Sequence, residues 1–399
     1  MNNTISIGGK RRSICLGYAA LFFLQTTVFS QSATELFIPW LWMLGLALDI
    51  VFVLYFLVSQ KITKNKLYIL LSLTPLLFWL IDVLAPATGS TFNSILPIST
   101  IVLFCISDDI IKRETFKVVR ILLIIESVFG ILSFLLFITG ILPPFTVVDF
   151  YEEGSTNLYM NYYFSVLYVT PNETLCRLCG LFNEPGWLGT ICALCLIADG
   201  VNFRRIGNIL IFIAGVLSLS LAFWLLLFIY FLSYSIGEKK FIYLVGLTVL
   251  VVVLALGAVT FFNENESITR FLGRFTFENG SFAGDDRTSD EFMKVWREVK
   301  NDSTKMFLGV DHYAGDMSTS SYLQYIVNYG IIGASFFLVP FIIISFIIAR
   351  KNRYSLYLLL CFLASTYQRP QVFTLAYFIV LFGGFEYIFF YRNIIKTKK

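Results

Sequence analysis

The stretch IGNILIFIAGVLSLSLAFWLLLFIYFLSYSI, Ile206–Ile236, decides how this chain is laid out. As one helix its 31 residues would be roughly 46 Å long, against a hydrocarbon core of about 30 Å. Arg204 and Arg205 precede it, and Lys239 and Lys240 follow it. Outward from there, basic clusters recur at Lys10/Arg11/Arg12, Lys61/Lys64/Lys66, Lys112/Arg113/Lys117/Arg120, Arg350/Lys351/Arg353 and Arg392/Lys396/Lys398/Lys399. Lys and Arg favour the cytoplasmic loops of membrane proteins. All seven clusters reach one face only if 206–236 is two short helices turning near Ser218-Leu219-Ser220. Those clusters hold 21 of the 30 basic residues, which makes the constraint strong.

Composition agrees with a membrane reading. The 399 residues are 57% hydrophobic and 14% charged, with a mean hydropathy of +0.76. A soluble domain averages about 45–50% apolar and about 25% charged. Disorder is excluded and a soluble multidomain enzyme is disfavoured. Apolar runs fall at about 13–30, 36–58, 67–85, 92–107, 118–139, 186–201, 241–262, 319–349, 354–366 and 371–390, besides the split pair. The first follows a basic segment, as a signal peptide would, but no clear small-x-small cleavage site comes after it. The expectation is therefore an all-α polytopic protein of twelve transmembrane helices with both termini in the cytoplasm. Helices 1–5 occupy 1–142, a first long outer loop 143–185, helices 6–9 186–262, a second long outer loop 263–318, and helices 10–12 with a tail 319–399. Short helices are expected in both loops. Loops of this length without linker composition are usually functional.

The basic residues outside the clusters all fall on the outer face: Arg177, Arg270, Arg274, Arg287, Lys294, Arg297, Lys300, Lys305 and Arg369. Both outer loops are nonetheless net acidic, so this face is no general polyanion or nucleic-acid surface. Single arginines there act locally, as forks for phosphate or carboxylate, or else pair with the abundant acids. Tyr159–Phe164 is aromatic and polar and suits the membrane interface. Glu291–Val299 reads as an amphipathic helix with Phe292, Val295 and Trp296 on one side.

The sharpest local feature is Arg177-Leu-Cys-Gly-Leu-Phe-Asn-Glu184-Pro185-Gly186, running straight into an apolar helix. Pro at the first helical position with an acceptor before it makes a sound helix start, so Asn183 or Glu184 has a plain reading as a cap. The other reading sets a carboxylate at the membrane edge, near Arg177, to work as a base on a lipid-linked substrate. A helix N-terminus favours the ionised form that a base requires.

This segment resembles the Arg-x-x-Gly-x-Phe-x-Glu-Pro-Gly stretch of bacterial Wzy-type polysaccharide polymerases. A second region is similar to the O-antigen polymerase and ligase superfamily. It comprises Arg287 ahead of Thr288–Trp296, then Phe307-Leu308-Gly309-Val310, Ser321-Tyr322-Leu323-Gln324 and Asn328-Tyr329-Gly330-Ile331-Ile332-Gly333. The resemblance implies a glycosyltransferase of the bacterial inner membrane with its active loops in the periplasm. Such an enzyme joins undecaprenyl-diphosphate-linked oligosaccharides into O-antigen or a related surface polymer, alongside a chain-length regulator protein. It implies Glu184, Arg177 and Arg287 as catalytic residues. Arg270, Arg274, His312, Tyr322, Gln324 and Arg369 would be substrate-binding, with neither cofactor nor metal. Ligases of this superfamily carry a His just before the Asn-x-x-Leu element, where this chain has Ser320-Ser321-Tyr322-Leu323. That departure favours polymerase over the alternative of a ligase transferring finished glycan to lipid A core.

Three further features have other readings. Cys176-x-x-Cys179 and Cys192-x-x-Cys195 mimic a zinc ribbon, but the second pair lies inside an apolar helix. Asp285-Asp286 beside Arg287 is read as a polar turn. The intramembrane acids Asp49, Glu126 and Glu386 are costly residues that would suit an ion-coupled flippase. Matching halves with broken helices, which that class would show, are absent from the sequence. Interhelical hydrogen bonding is the plain account of the three.

Overall fold

The computed structural model describes residues 9–27, 41–59, 62–85, 95–152, 155–162, 165–170, 175–239, 245, 277–278, 281–282, 290–310, 322–369 and 371–397. The protein is mostly helical. Four helical segments are long and apolar enough to cross a membrane: Lys66–Leu84, Asp109–Thr139, Leu221–Glu238 and Leu323–Ala349. Shorter apolar helices lie at Ile95–Ile106, Pro185–Ala198, Ile206–Leu217 and Leu375–Tyr391. In chain order the helices are α1 (Gly9–Thr27), α2 (Leu41–Ser59), α3 (Lys66–Leu71), α4 (Leu73–Leu84), α5 (Ile95–Ile106) and α6 (Asp109–Thr139). There follow α7 (Pro185–Ala198), α8 (Ile206–Leu217), α9 (Leu221–Glu238), α10 (Asp290–Asn301), α11 (Ser303–Leu308), α12 (Leu323–Ala349) and α13 (Arg353–Gln368). The last helix runs as α14 (Leu375–Phe378), a π-turn (Ile379–Gly383) and α15 (Gly384–Thr397). A helix lies within every expected apolar run except 241–262, which apart from Val245 falls outside the described residues.

The Ile206–Ile236 stretch divides as its length demands. α8 ends at Leu217, Leu219 takes a positive φ of 46°, and α9 starts at Leu221. α7 is buried along its whole length, all 14 residues, which explains why its sequence is apolar all round.

The first long loop departs from expectation. Instead of short helices it forms an antiparallel meander of β1 (Thr146–Glu152), β2 (Ser155–Asn161), β3 (Val166–Thr170) and β4 (Leu175–Gly180), in that order. The pairing is continuous, Thr146 opposite Asn161, Leu158 opposite Val169 and Tyr168 opposite Arg177, with an irregularity at Val166/Leu167. β-branched and aromatic residues crowd these strands, and such residues fit a pleated surface better than a helix. Of the aromatic stretch Tyr159–Phe164, residues 159–161 belong to β2, and Tyr163 and Phe164 lie outside the described residues.

In the second loop α10 covers the expected amphipathic segment. Phe292 and Val299 are buried in a small core with Val310 and Val327, and Val295 and Trp296 pack against it. This core is tied to α12 by a backbone clasp. The Val310 N–H donates to the Val327 carbonyl (2.9 Å), and α12 breaks at Gly330, whose φ is 66° and ψ 173°. A Cβ on Gly330 would collide with the Phe307 carbonyl, and one on Gly309 would lie 2.8 Å from that of Asn328. Only glycine combines that φ with so close a backbone approach. Two glycines quoted from separate parts of the sequence thus meet in space.

Candidate active site

α7 starts as its sequence suggests. Glu184 occupies the cap position in extended conformation (φ −153°, ψ 153°), Pro185 follows at the first helical position, and the Glu184 side chain makes no cap hydrogen bond. Its carboxylate instead pairs with Arg369, whose Nη1 donates to Oε1.

Arg369 closes α13, where the following Pro370 disfavours helical backbone at the residue before it. The chain then crosses to Thr374, whose hydroxyl caps α14 by accepting from the Tyr377 N–H (3.3 Å). Helix ends of α7, α13 and α14 therefore converge. The Arg369 guanidinium lies 5.6 Å from the Trp187 ring centroid, and Trp187 is 4.9 Å from Tyr377. Arg369 is only 6% exposed, and its Nε is buried with no hydrogen-bond partner. The Glu184 side chain is 30% exposed. The carboxylate is thus the more exposed member of a pair whose other member is a buried guanidinium.

Arg177 projects from β4 towards the α8–α9 turn. Its Nε donates to the Ser218 carbonyl (3.2 Å) and Nη2 to that of Leu219 (3.4 Å). Successive strand residues point to opposite faces, and Leu178 accordingly sits against Gly130 of α6. Arg177 is 7% exposed, and it ties the first motif to the turn that splits 206–236. Glu126 of α6 holds the same segment from the other side: it accepts from Ser165 Oγ (3.2 Å). Gly180, at φ 68°, passes so close that a Cβ there would lie 2.9 Å from Glu126 Oε1. The glycine three residues after Arg177 is thereby explained, and Glu126 takes the plain role of a hydrogen-bonded buried acid.

The second motif reaches the pocket through α12. The Tyr325 hydroxyl accepts from the Val372 N–H (3.4 Å), inside the crossing that follows Arg369. Tyr322 is 42% exposed and lies 5.2 Å, ring to ring, from Tyr367, while Gln324 is half-buried in the first turn of α12. Tyr329 donates to Asp82 Oδ1 of α4 (2.6 Å), which fixes α12 beyond its break. Arg270, Arg274, Arg287 and His312 lie outside the described residues.

The cysteines are free thiols and all buried. Burial pushes the Cys176 thiol up to about 12 and raises that of Cys179 well above its ordinary value. Thiolates, which bind zinc and attack electrophiles, are correspondingly disfavoured in this strand. Among the described residues no three His, Cys, Asp or Glu side chains gather as a metal-holding group.

Sequence reasoning passed over Trp187, Tyr377 and Tyr325. Trp187 had a signal: it stands three residues after Glu184, on the same face of the first helical turn. Tyr377 and Tyr325 had none, since only the fold brings them to Arg369. No family model, curated protein or solved structure matches this chain.

Proposed function

We propose that this protein is a bacterial inner-membrane polymerase that joins undecaprenyl-diphosphate-linked oligosaccharide units on the periplasmic face, within a twelve-span chain whose termini are cytoplasmic. The observation that carries the reading is the Glu184–Arg369 pair at the open end of a helix too short to cross a bilayer. α7 rises about 21 Å against a hydrocarbon core of about 30 Å. Its far end, at Asp199, is held among Arg120 and Arg205 of the basic clusters. Glu184, at the opposite end of α7 beside β4, then lies towards the outer face. A base and a cation at this level meet a substrate whose reacting sugar sits next to a membrane-anchored phosphate.

In the reaction the acceptor hydroxyl gives its proton to Glu184 while its oxygen bonds to the anomeric carbon of the donor. The bond from that carbon to the diphosphate oxygen breaks, and the lipid diphosphate departs with the electron pair. Arg369 neutralises the charge that develops there. We assign Arg287, Arg274 and Arg270 to the same diphosphate, and His312, Tyr322 and Gln324 to the sugars. Arg177 serves by holding the wall of the site against the 218–219 turn.

The test is a surface-polysaccharide gel of a strain lacking this gene, complemented with wild-type, Glu184→Gln or Arg369→Gln copies. A ladder that collapses to core plus one repeat unit, and returns only with wild type, is the expected result. Loss of every substituted core band would assign a ligase or flippase instead. A normal ladder from well-expressed Glu184→Gln would remove Glu184 as base.

A further inference from the structure

The pair raises a question that the reaction alone does not answer: Arg369 already has an anion. A guanidinium 94% removed from solvent requires one, because an unpaired buried charge is among the costliest features a fold can carry. Carboxylate and phosphate present the same planar acceptor pair to the guanidinium fork, so whichever is bound excludes the other from the same N–H groups. Glu184 is the more exposed of the two side chains, 30% against 6%. Its own helix end offers its side chain no cap bond to hold it. The Trp187 face lies against the cation, and Arg369 Nε is buried without an acceptor, leaving a donor unused in the protein as it stands.

We infer that the Glu184 carboxylate occupies the substrate's phosphate position on Arg369, and that an incoming diphosphate displaces it. This rests on the function proposed above and adds a sequence of events to it. In the resting protein the base and the cation neutralise each other. Diphosphate binding takes Arg369, its Nε included, and releases Glu184 as a carboxylate at the mouth of the pocket, where the acceptor hydroxyl arrives. The base is thereby exposed only when a donor is in place, and the pair acts as a latch against misplaced proton transfer. No bond is made or broken in this step; one anion replaces another on a fixed cation.

The inference sets opposite signs on binding and turnover for one substitution. Full-length protein in detergent micelles is titrated with inorganic pyrophosphate by calorimetry, as wild type, Glu184→Gln and Glu184→Gln/Arg369→Gln. Glu184→Gln removes the competing charge and is expected to bind pyrophosphate about tenfold more tightly, the factor that follows from a charge-assisted hydrogen bond of modest strength. The double variant is expected to lose the gain. Should Arg369→Gln fail to fold, Arg369→Lys keeps the charge without the fork and is expected to lose most of it. Equal affinity in wild type and Glu184→Gln, or a gain that survives loss of Arg369, overturns the inference. Micelles doped with phosphatidylglycerol form the second arm. If that lipid suppresses pyrophosphate binding at equal concentration, the site belongs to a phospholipid headgroup and the diphosphate assignment falls. The gel ladder is read separately: collapse of the ladder with unchanged pyrophosphate affinity keeps the polymerase and removes the latch. The affinity gain with an unchanged ladder keeps the anion exchange and removes the polymerase.

Discussion

The two ends of α7 carry two buried-edge carboxylates with opposite surroundings. At the basic end Asp199 is 4% exposed and saturated: Arg205 and the Tyr387 hydroxyl (2.7 Å) donate to Oδ1, Arg120 (3.0 Å) and Asn208 (2.8 Å) to Oδ2. Arg120 also donates to Asn208 (2.6 Å), so α6, α8 and α15 are knotted to the foot of α7. At the other end the Glu184 side chain pairs with Arg369 and is 30% exposed. An acid whose lone pairs are all taken can only hold helices together. One that keeps part of its surface exposed can also meet an incoming group.

The isosteric pair Asp199→Asn and Glu184→Gln breaks this contrast most directly. Asp199→Asn leaves the largely buried Arg120 without its anion, besides the more exposed Arg205, and is expected to cost about 3 kcal/mol, read as a large fall in melting temperature in detergent. Glu184→Gln takes the charge from the partner of buried Arg369 but keeps an amide oxygen that accepts from it, and is expected to cost less, about 1–3 kcal/mol. Equal losses would show that both acids are structural. Next in size is Gly330→Ala, roughly 2–3 kcal/mol from the positive φ and the collision with Phe307. Its melting curve would report whether the clasp between α11 and α12 supports the whole molecule or only the second loop. Smallest is the Cys176 thiol: held up near 12 by burial, it is protonated at neutral pH. A maleimide is expected to leave it unmodified at pH 7.5 in folded protein and to label it after denaturation; labelling of the folded state would show β4 to be open.

Much of the architecture was legible because it depends on length and local chemistry. The 31-residue apolar stretch had to break, and Ser218–Ser220 was the polar place to do so. Asn183-Glu184-Pro185 announced a helix start, and the Phe292/Val295/Trp296 spacing announced α10. The sheet was missed since its aromatic residues suit a membrane interface as well as a strand, and nothing local decides between the two. The pocket was half legible. Glu184 stood out, but the Arg369 that pairs with it is 185 positions away. Arg177 likewise donates to carbonyls of a turn 41 and 42 residues on. Such pairings are products of the fold and leave no trace in spacing.

The π-turn at Ile379–Gly383 has a consequence of helical phase. An α-helix advances about 100° per residue, so a turn widened by one residue rotates everything after it by about that angle relative to what precedes it. Before the turn, α14 presents Tyr377 to Trp187 in the pocket. After it, Glu386 receives the Tyr68 hydroxyl (2.6 Å) and Tyr387 reaches Asp199. With a regular helix, one of these two sets would face the wrong way. The widened turn is therefore the gear that lets one helix engage the Trp187 end of α7 and its knotted foot at the same time.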